Sequence, residues 1–132
     1  MNRTITPSTI APPAAAYAHA VLSDRPARLL HTAGVVPVAP DGSVPATLAD
    51  QATVVWANVA AILDEADMSA PDVVSVTTYV VVGPSPGHVD LAAIMASRDH
   101  FMAGHLAAST LVTVPALARP EWQVEIAVVA AR

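Results

Sequence analysis

Cysteine and lysine are both missing from this chain of 132 residues, and aromatic side chains make up only 4 per cent of it. Without cysteine there is neither a disulfide nor a thiolate nucleophile, whatever compartment the protein occupies. Without lysine, the only permanent side-chain cations are six arginines scattered along the chain, against eleven acidic residues. The formal charge of −5 and the lack of a basic cluster leave no phosphate-neutralising stripe, so nucleic acid is not an expected partner. Tyr17, Trp56, Tyr79, Phe101 and Trp122 are too dispersed to form a base-stacking platform. Long apolar runs are missing as well. The most hydrophobic stretches, Val73–Val82 and Val124–Ala131, are about ten residues long, which suits strands and is too short to span a bilayer. No long apolar run follows Arg3, so no signal peptide is expected and the cytoplasm is the default location.

Hydrophobic residues make up 54 per cent of the chain and charged residues 13 per cent. That charged share is about half the usual one. Two explanations remain open at this point: apolar surface covered by other subunits, or an alanine-rich composition that inflates the count with small side chains. The length fits one domain, residues 1–132, with a real core.

Residues 1–16 carry Pro7, Pro12 and Pro13 among small residues, which predicts an extended segment lying over the surface. Tyr17–Leu22, Arg28–Thr32 and Val35–Ala39 are expected to form short antiparallel strands, the last of them ending in the Pro40-Asp41-Gly42-Ser43 turn signal. Thr47 with Asp50 resembles a capping box. Leu48, Ala52, Val55, Val59, Ile62, Leu63 and Ala66 then recur at three- and four-residue steps, the apolar face of a helix that Met68–Pro71 ends. Val73–Val82 is β-branched and predicts a central strand. A loop over Gly83–Gly87, a second helix over His88–Ala103 closed by Gly104, and strands over Ser109–Val114 and Trp122–Ala130 complete the order. This is an α+β pattern with two helices on one face of a sheet.

The last strand carries the most information. Val124, Ile126 and Val128 point one way, and Glu125, Ala127 and Val129 the other, so both faces are apolar except at Glu125. Helices cover one face. Nothing within the chain is left to cover the second, so a neighbouring subunit is its expected cover.

Several segments, in order and at matching spacing from about Tyr17 to Arg132, resemble the Rid (reactive intermediate deaminase, YjgF-like) family. His31 to Pro37 is similar to its "(T/S)SGQIP" strand and turn. Asp41-Gly42 and the Gln51–Asp67 helix resemble its "DG…Q…Q…NL..IL..AG" stretch. Asp72 to Thr77 resembles "DVVK(V/T)T", Leu106 to Thr110 stands where the family has "PARS" and one residue more, and Val124 to Ala127 stands where it has "VEIE". The resemblance implies a chorismate-mutase-like fold with a mixed β-sheet, assembled as a homotrimer with clefts between subunits. It also implies hydrolysis of small reactive imines and enamines with no cofactor and no metal.

Carried over residue by residue, the likeness makes Glu125 the water-handling carboxylate and Tyr17 a cleft tyrosine. Gly34 becomes the glycine whose backbone approaches the ligand, and Thr110 a small polar cleft residue beside Ser109. The family's carboxylate-gripping arginine is absent, with Ala108 in its place. Met95 stands for a ligand-contacting asparagine, Val35 for the glutamine after the glycine, and Ala33 for the serine before it. The cleft is therefore expected to have lost polar groups and to disfavour amino-acid-derived imines. Arg98 and Arg119 are candidate substitutes for the missing arginine, although a solvated surface role is the simpler expectation for each. His105 precedes the altered segment and could border the cleft, or end the helix as a partly exposed cap. His19, His31, His88, His100 and His105 show no metal-ligand spacing, so no metal is expected. Ser109 has no evident base, so a hydrolase triad is not expected. Three functions follow as expectations: an enzyme of altered specificity, a catalytically inactive trimeric scaffold, and an ordinary 2-imino-acid deaminase with a substitute arginine.

Overall fold

The computed structural model describes residues 1–83 and 90–132. Most of the expected Gly83–Gly87 loop, with His88 and Val89 of the expected second helix, lies outside the described residues. Two sheets are present. A two-stranded ribbon pairs β1 (Asn2–Ile5) antiparallel with β2 (Ala20–Ser23). The main sheet has the order β3-β6-β4-β5, built from β3 (Leu29–His31), β4 (Val73–Val81), β5 (Ala108–Val114) and β6 (Val124–Ala131). It is mixed: β6 runs antiparallel to both neighbours, while β4 and β5 are parallel and joined through α2 (Leu91–Met102). That helix and α1 (Leu48–Glu65) lie on one face of the sheet. Among the described residues, no helix is long and apolar enough to cross a membrane.

Helix α1 starts where the Thr47 side chain accepts the Asp50 N–H at 3.2 Å. It buries Ala52, Val55, Val59 and Leu63 as its spacing predicts, and adds Gln51 and Trp56, while Ile62 stays exposed. Gln51 is almost completely buried and fully engaged. Its Nε2 donates to the Pro45 and Glu121 carbonyls and its Oε1 accepts the Gln123 N–H, all at 2.8 Å. A buried amide satisfied this way fixes the helix start against the entry to β6.

The structure corrects the N-terminal third. Within the extended N-terminal segment, residues 2–5 form strand β1, tied to the end of β6 by Asn2 Nδ2 donating to the Ala131 carbonyl at 2.6 Å. The expected Tyr17–Leu22 strand is split between two partners. Ala18 bridges Ala108 of β5, and only residues from Ala20 onward pair with β1. The expected Val35–Ala39 strand reduces to one bridge, Val35 with Ile126. Pro37 has no N–H for a ladder, and the neighbouring Val36 and Val38 carbonyls accept from Asn58 Nδ2 of α1 instead. The second helix ends on Ala103, itself in the left-handed region at φ 48°, with Gly104 following at φ 90°.

Candidate active site

Strand pairing sorts side chains by face, because directly opposed residues point the same way. On the helix-covered face Val124, Ile126 and Val128 are at most 1 per cent exposed. On the other face Glu125, Ala127 and Val129 of β6 are half-buried, as are Thr77, Tyr79 and Val81 of β4. The register puts Tyr79 between Glu125 and Val112, and Thr77 between Ala127 and Thr110. The open face is therefore valine-rich and carries hydroxyls from Tyr79, Thr77, Ser75 and Thr110, with one carboxylate among them.

That carboxylate is placed by a glycine. A Cβ built on Gly34 would fall 2.7 Å from the Glu125 carboxyl carbon and 3.0 Å from its Cγ, and closer still to Oε1. Any side chain here would have to displace Glu125. The contact is held by the reciprocal bonds Val35 N–H to Ile126 O (2.8 Å) and Ile126 N–H to Val35 O (3.1 Å). Asn58, holding the carbonyls just beyond Val35, keeps the segment in position.

Ala108 and Thr110 share the open face with Glu125, Ala108 at its other end and Thr110 between the two. Ala108 is level with Ser75 and Glu125 with Tyr79. That is four residues along and two strands across, roughly 16 Å. Tyr17 belongs with Ala108, because the next residue, Ala18, bridges Ala108 and donates its N–H to the Ala107 carbonyl at 2.9 Å. The Tyr17 hydroxyl accepts the Ala14 N–H at 3.3 Å, and its ring meets His19 edge-on. The open face thus holds Gly34, Glu125 and Tyr79 at one end and Ala108 at the other, with Thr110 between them and Tyr17 next to the residue that bridges Ala108.

The remaining expected site residues lie elsewhere. Val35 is in the hydrophobic core, because its partner Ile126 points there. Ser109, Met95 and Arg98 sit on the helix side of the sheet, around a small recess shared with Trp56, Thr78, Leu111 and Ile126. Arg98 follows Ile94 and precedes Met102 at four-residue steps on the buried side of α2. Only 11 per cent of its side chain is exposed, and it is engaged by Asp99 Oδ1, at 3.0 Å from Nε and 2.9 Å from Nη2. His105 bonds through Nε2 to the Val73 carbonyl at 2.7 Å. Val73 lies six residues from Tyr79, so His105 is roughly 20 Å along the strand from Glu125. Arg119 is exposed in the β5–β6 loop, at the Glu125 end of the sheet.

Tyr79 is the site residue that sequence reasoning missed. Its strand was legible, but the register opposing it to Glu125 was not. Two concavities among the described residues lie away from this face. One of about 360 Å³ runs between the helices, lined by residues including Trp56, His100 and Phe101. A shallower one of about 430 Å³ lies beside Leu30 and Ile62. Neither borders Glu125.

Fold and face together define a small α+β protein with a carboxylate on a sheet face that no element among the described residues covers. The family described as Endoribonuclease L-PSP matches by profile over residues 8–132. Among solved structures, the chain is similar to YyfB from Yersinia pestis, described as a protein of unknown function of the conserved Rid family. Identity to it is 36 per cent over 99 per cent of this chain and 98 per cent of that one, with a TM-score of 0.87. Escherichia coli TdcF, solved with bound serine, is 28 per cent identical over 88 per cent of this chain and 87 per cent of its own, with a TM-score of 0.70. The E. coli YjgF gene product is also 28 per cent identical, over 98 per cent of each chain, with a TM-score of 0.70. No curated protein sequence matches. The chain belongs to the Rid (YjgF-like) family.

Proposed function

We propose that this protein is a cofactor-independent enzyme, assembled as a homotrimer, that hydrolyses a reactive imine or enamine-like intermediate in clefts between its copies. The observation that carries the proposal is the seat of Glu125: a carboxylate on an apolar strand, with the backbone of Gly34 beneath it and no ion pair among the described residues. A carboxylate kept on a valine-rich surface is costly unless it has work to do. Here it accepts a proton from water as the water adds to the imine carbon, then returns that proton to nitrogen as ammonia leaves.

The two ends of the open face support a shared cleft. A ligand of a few heavy atoms cannot touch Glu125 and Ala108 of one chain, but can do so when a neighbour supplies the second set. The same packing covers the open sheet face, in line with the low charged content. Specificity differs from that of a 2-imino-acid deaminase, because Ala108 offers no fork for a carboxylate. Arg98 does not take over that task, since it lies on the helix side with Asp99. A ribonuclease role fits poorly with an acidic chain that has no lysine.

The test is Glu125→Gln. The variant keeps the oligomer and the melting temperature while losing imine turnover, followed by semicarbazide trapping of imines generated in situ. If the variant loses assembly instead and the intact oligomer shows no turnover, Glu125 is structural. The protein is then a trimeric scaffold.

A further inference from the structure

From the charge and chemistry of the open face we infer that the cleft selects imines without a carboxylate, in their cationic iminium form: the products of oxidising simple primary amines. This rests on the hydrolytic reading of Glu125 above and names its substrate class.

Three observations carry it. First, Glu125 is the one carboxylate on the open strand face among the described residues, and no arginine stands with it. Of the arginines, Arg98 is on the other face. Arg28 and Arg132 are drawn to Asp67, and Arg25 to Asp24. Arg3 belongs to the separate ribbon. Arg119 is at the Glu125 end, but exposed in a loop. His31 is exposed on the far edge strand, level with Val129, and His19 packs against Tyr17. A single negative charge in a valine-lined cleft attracts a small cation and repels a second carboxylate.

Second, Tyr79 is the cross-strand partner of Glu125 on the same face. An aromatic ring beside a carboxylate is a favourable setting for a desolvated cation, because the ring face is electronegative. Third, the polar groups on the β4 and β5 part of this face, Thr77 and Thr110 level with each other and Ser75 two residues further on, are uncharged. They can receive an N–H or a carbonyl oxygen, but cannot neutralise an anion.

The reaction balances without a co-reactant. The iminium R–CH=NH₂⁺ and water give the aldehyde R–CHO and NH₄⁺. Water loses one proton to Glu125 as its oxygen bonds to carbon, and the C–N bond breaks as nitrogen takes that proton and the hydroxyl proton. No electrons are exchanged. The step that supplies the substrate is therefore a two-electron oxidation of a primary amine that releases free imine.

A matched pair of substrates tests this with the intact protein. Propan-1-imine is generated from propylamine by an amine oxidase that releases imine, and 2-iminobutyrate from 2-aminobutyrate by an amino-acid oxidase. They differ only in the carboxylate. The expected result is a kcat/KM at least about ten-fold higher for propan-1-imine. Ala108→Arg should move the preference toward 2-iminobutyrate, and Arg119→Gln should leave it unchanged. Tyr79→Ala should raise KM by about three- to ten-fold with kcat less affected, and Tyr79→Phe, which restores the ring, should recover most of that loss. A wild-type preference for 2-iminobutyrate overturns the inferred selectivity and leaves the hydrolytic reading standing. Acceleration of neither imine above buffer overturns both.

Discussion

The two faces of the main sheet have opposite characters, although the same strands build them. Beneath the helices, Val124, Ile126, Val128 and Ala130 of β6 are sealed against Val55, Val59 and Leu63 of α1. On the other face, Glu125, Ala127 and Val129 alternate with them, are nearly as apolar, and remain half-exposed. The first face accounts for the fold of one protomer. The second has an interior's composition without an interior's cover, and it carries the one carboxylate. On the function proposed above, stability and activity are separated by the two-residue period of a single strand.

That separation predicts a graded response to substitution. The largest effect on folding should come from the sealed face: Ile126→Ala is expected to cost about 2–5 kcal/mol in chemical denaturation, whereas Ala127→Ser next to it should cost far less. Gln51→Leu comes next. It strands the Gln123 N–H and two carbonyls, an expected loss of about 1–3 kcal/mol. Gly34→Ala acts on the open face. We expect imine turnover to fall by about ten-fold or more as Glu125 is displaced, with melting nearly unchanged. In a double-mutant cycle the Gly34→Ala penalty should vanish on a Glu125→Ala background, because the clash is with that side chain.

The smallest effect involves neither face. Asp41 has its carboxyl held below its ordinary value of 3.8, first by the Ser43 hydroxyl at 2.6 Å and then by the Ser43 N–H at 2.9 Å. A carboxyl depressed in the folded state adds stability above its unfolded value and loses it as pH falls through the folded one. Asp41→Ala should therefore be slightly less stable than wild type at pH 7, and the difference should close in the acid range below pH 3.8. Asp41 is fully exposed, so the effect is small. An NMR titration of its carboxyl checks the direction.

Much of the sealed face was legible in the sequence. The three- and four-residue steps of α1, its Thr47 cap and the β-branched run of β4 each state their structure locally. Glu125 was legible too, as a charge in an otherwise apolar alternation. What escaped depends on pairing between distant segments. Strand β1 has an exposed, polar sequence and exists because β2 lies beside it. Val35 went to the core because a single bridge to Ile126 turns it inward. Tyr79 reads as one more strand residue until the register sets it opposite Glu125. Arg98 misled for a different reason. A charge at a buried step of α2 breaks the usual pattern, and only its geometry with Asp99 shows how it is accommodated.

The central claim is that the open face is covered by copies of the same chain, joining the Glu125 end of one to the Ala108 end of the next. Sedimentation equilibrium of the purified protein, at the concentrations used for turnover, tests it most directly. The expected result is a species of three times the 13.5 kDa protomer mass, reduced to protomers, with loss of turnover, by Val129→Asp on the open face. A stable 13.5 kDa monomer with full imine-hydrolysing activity would contradict it.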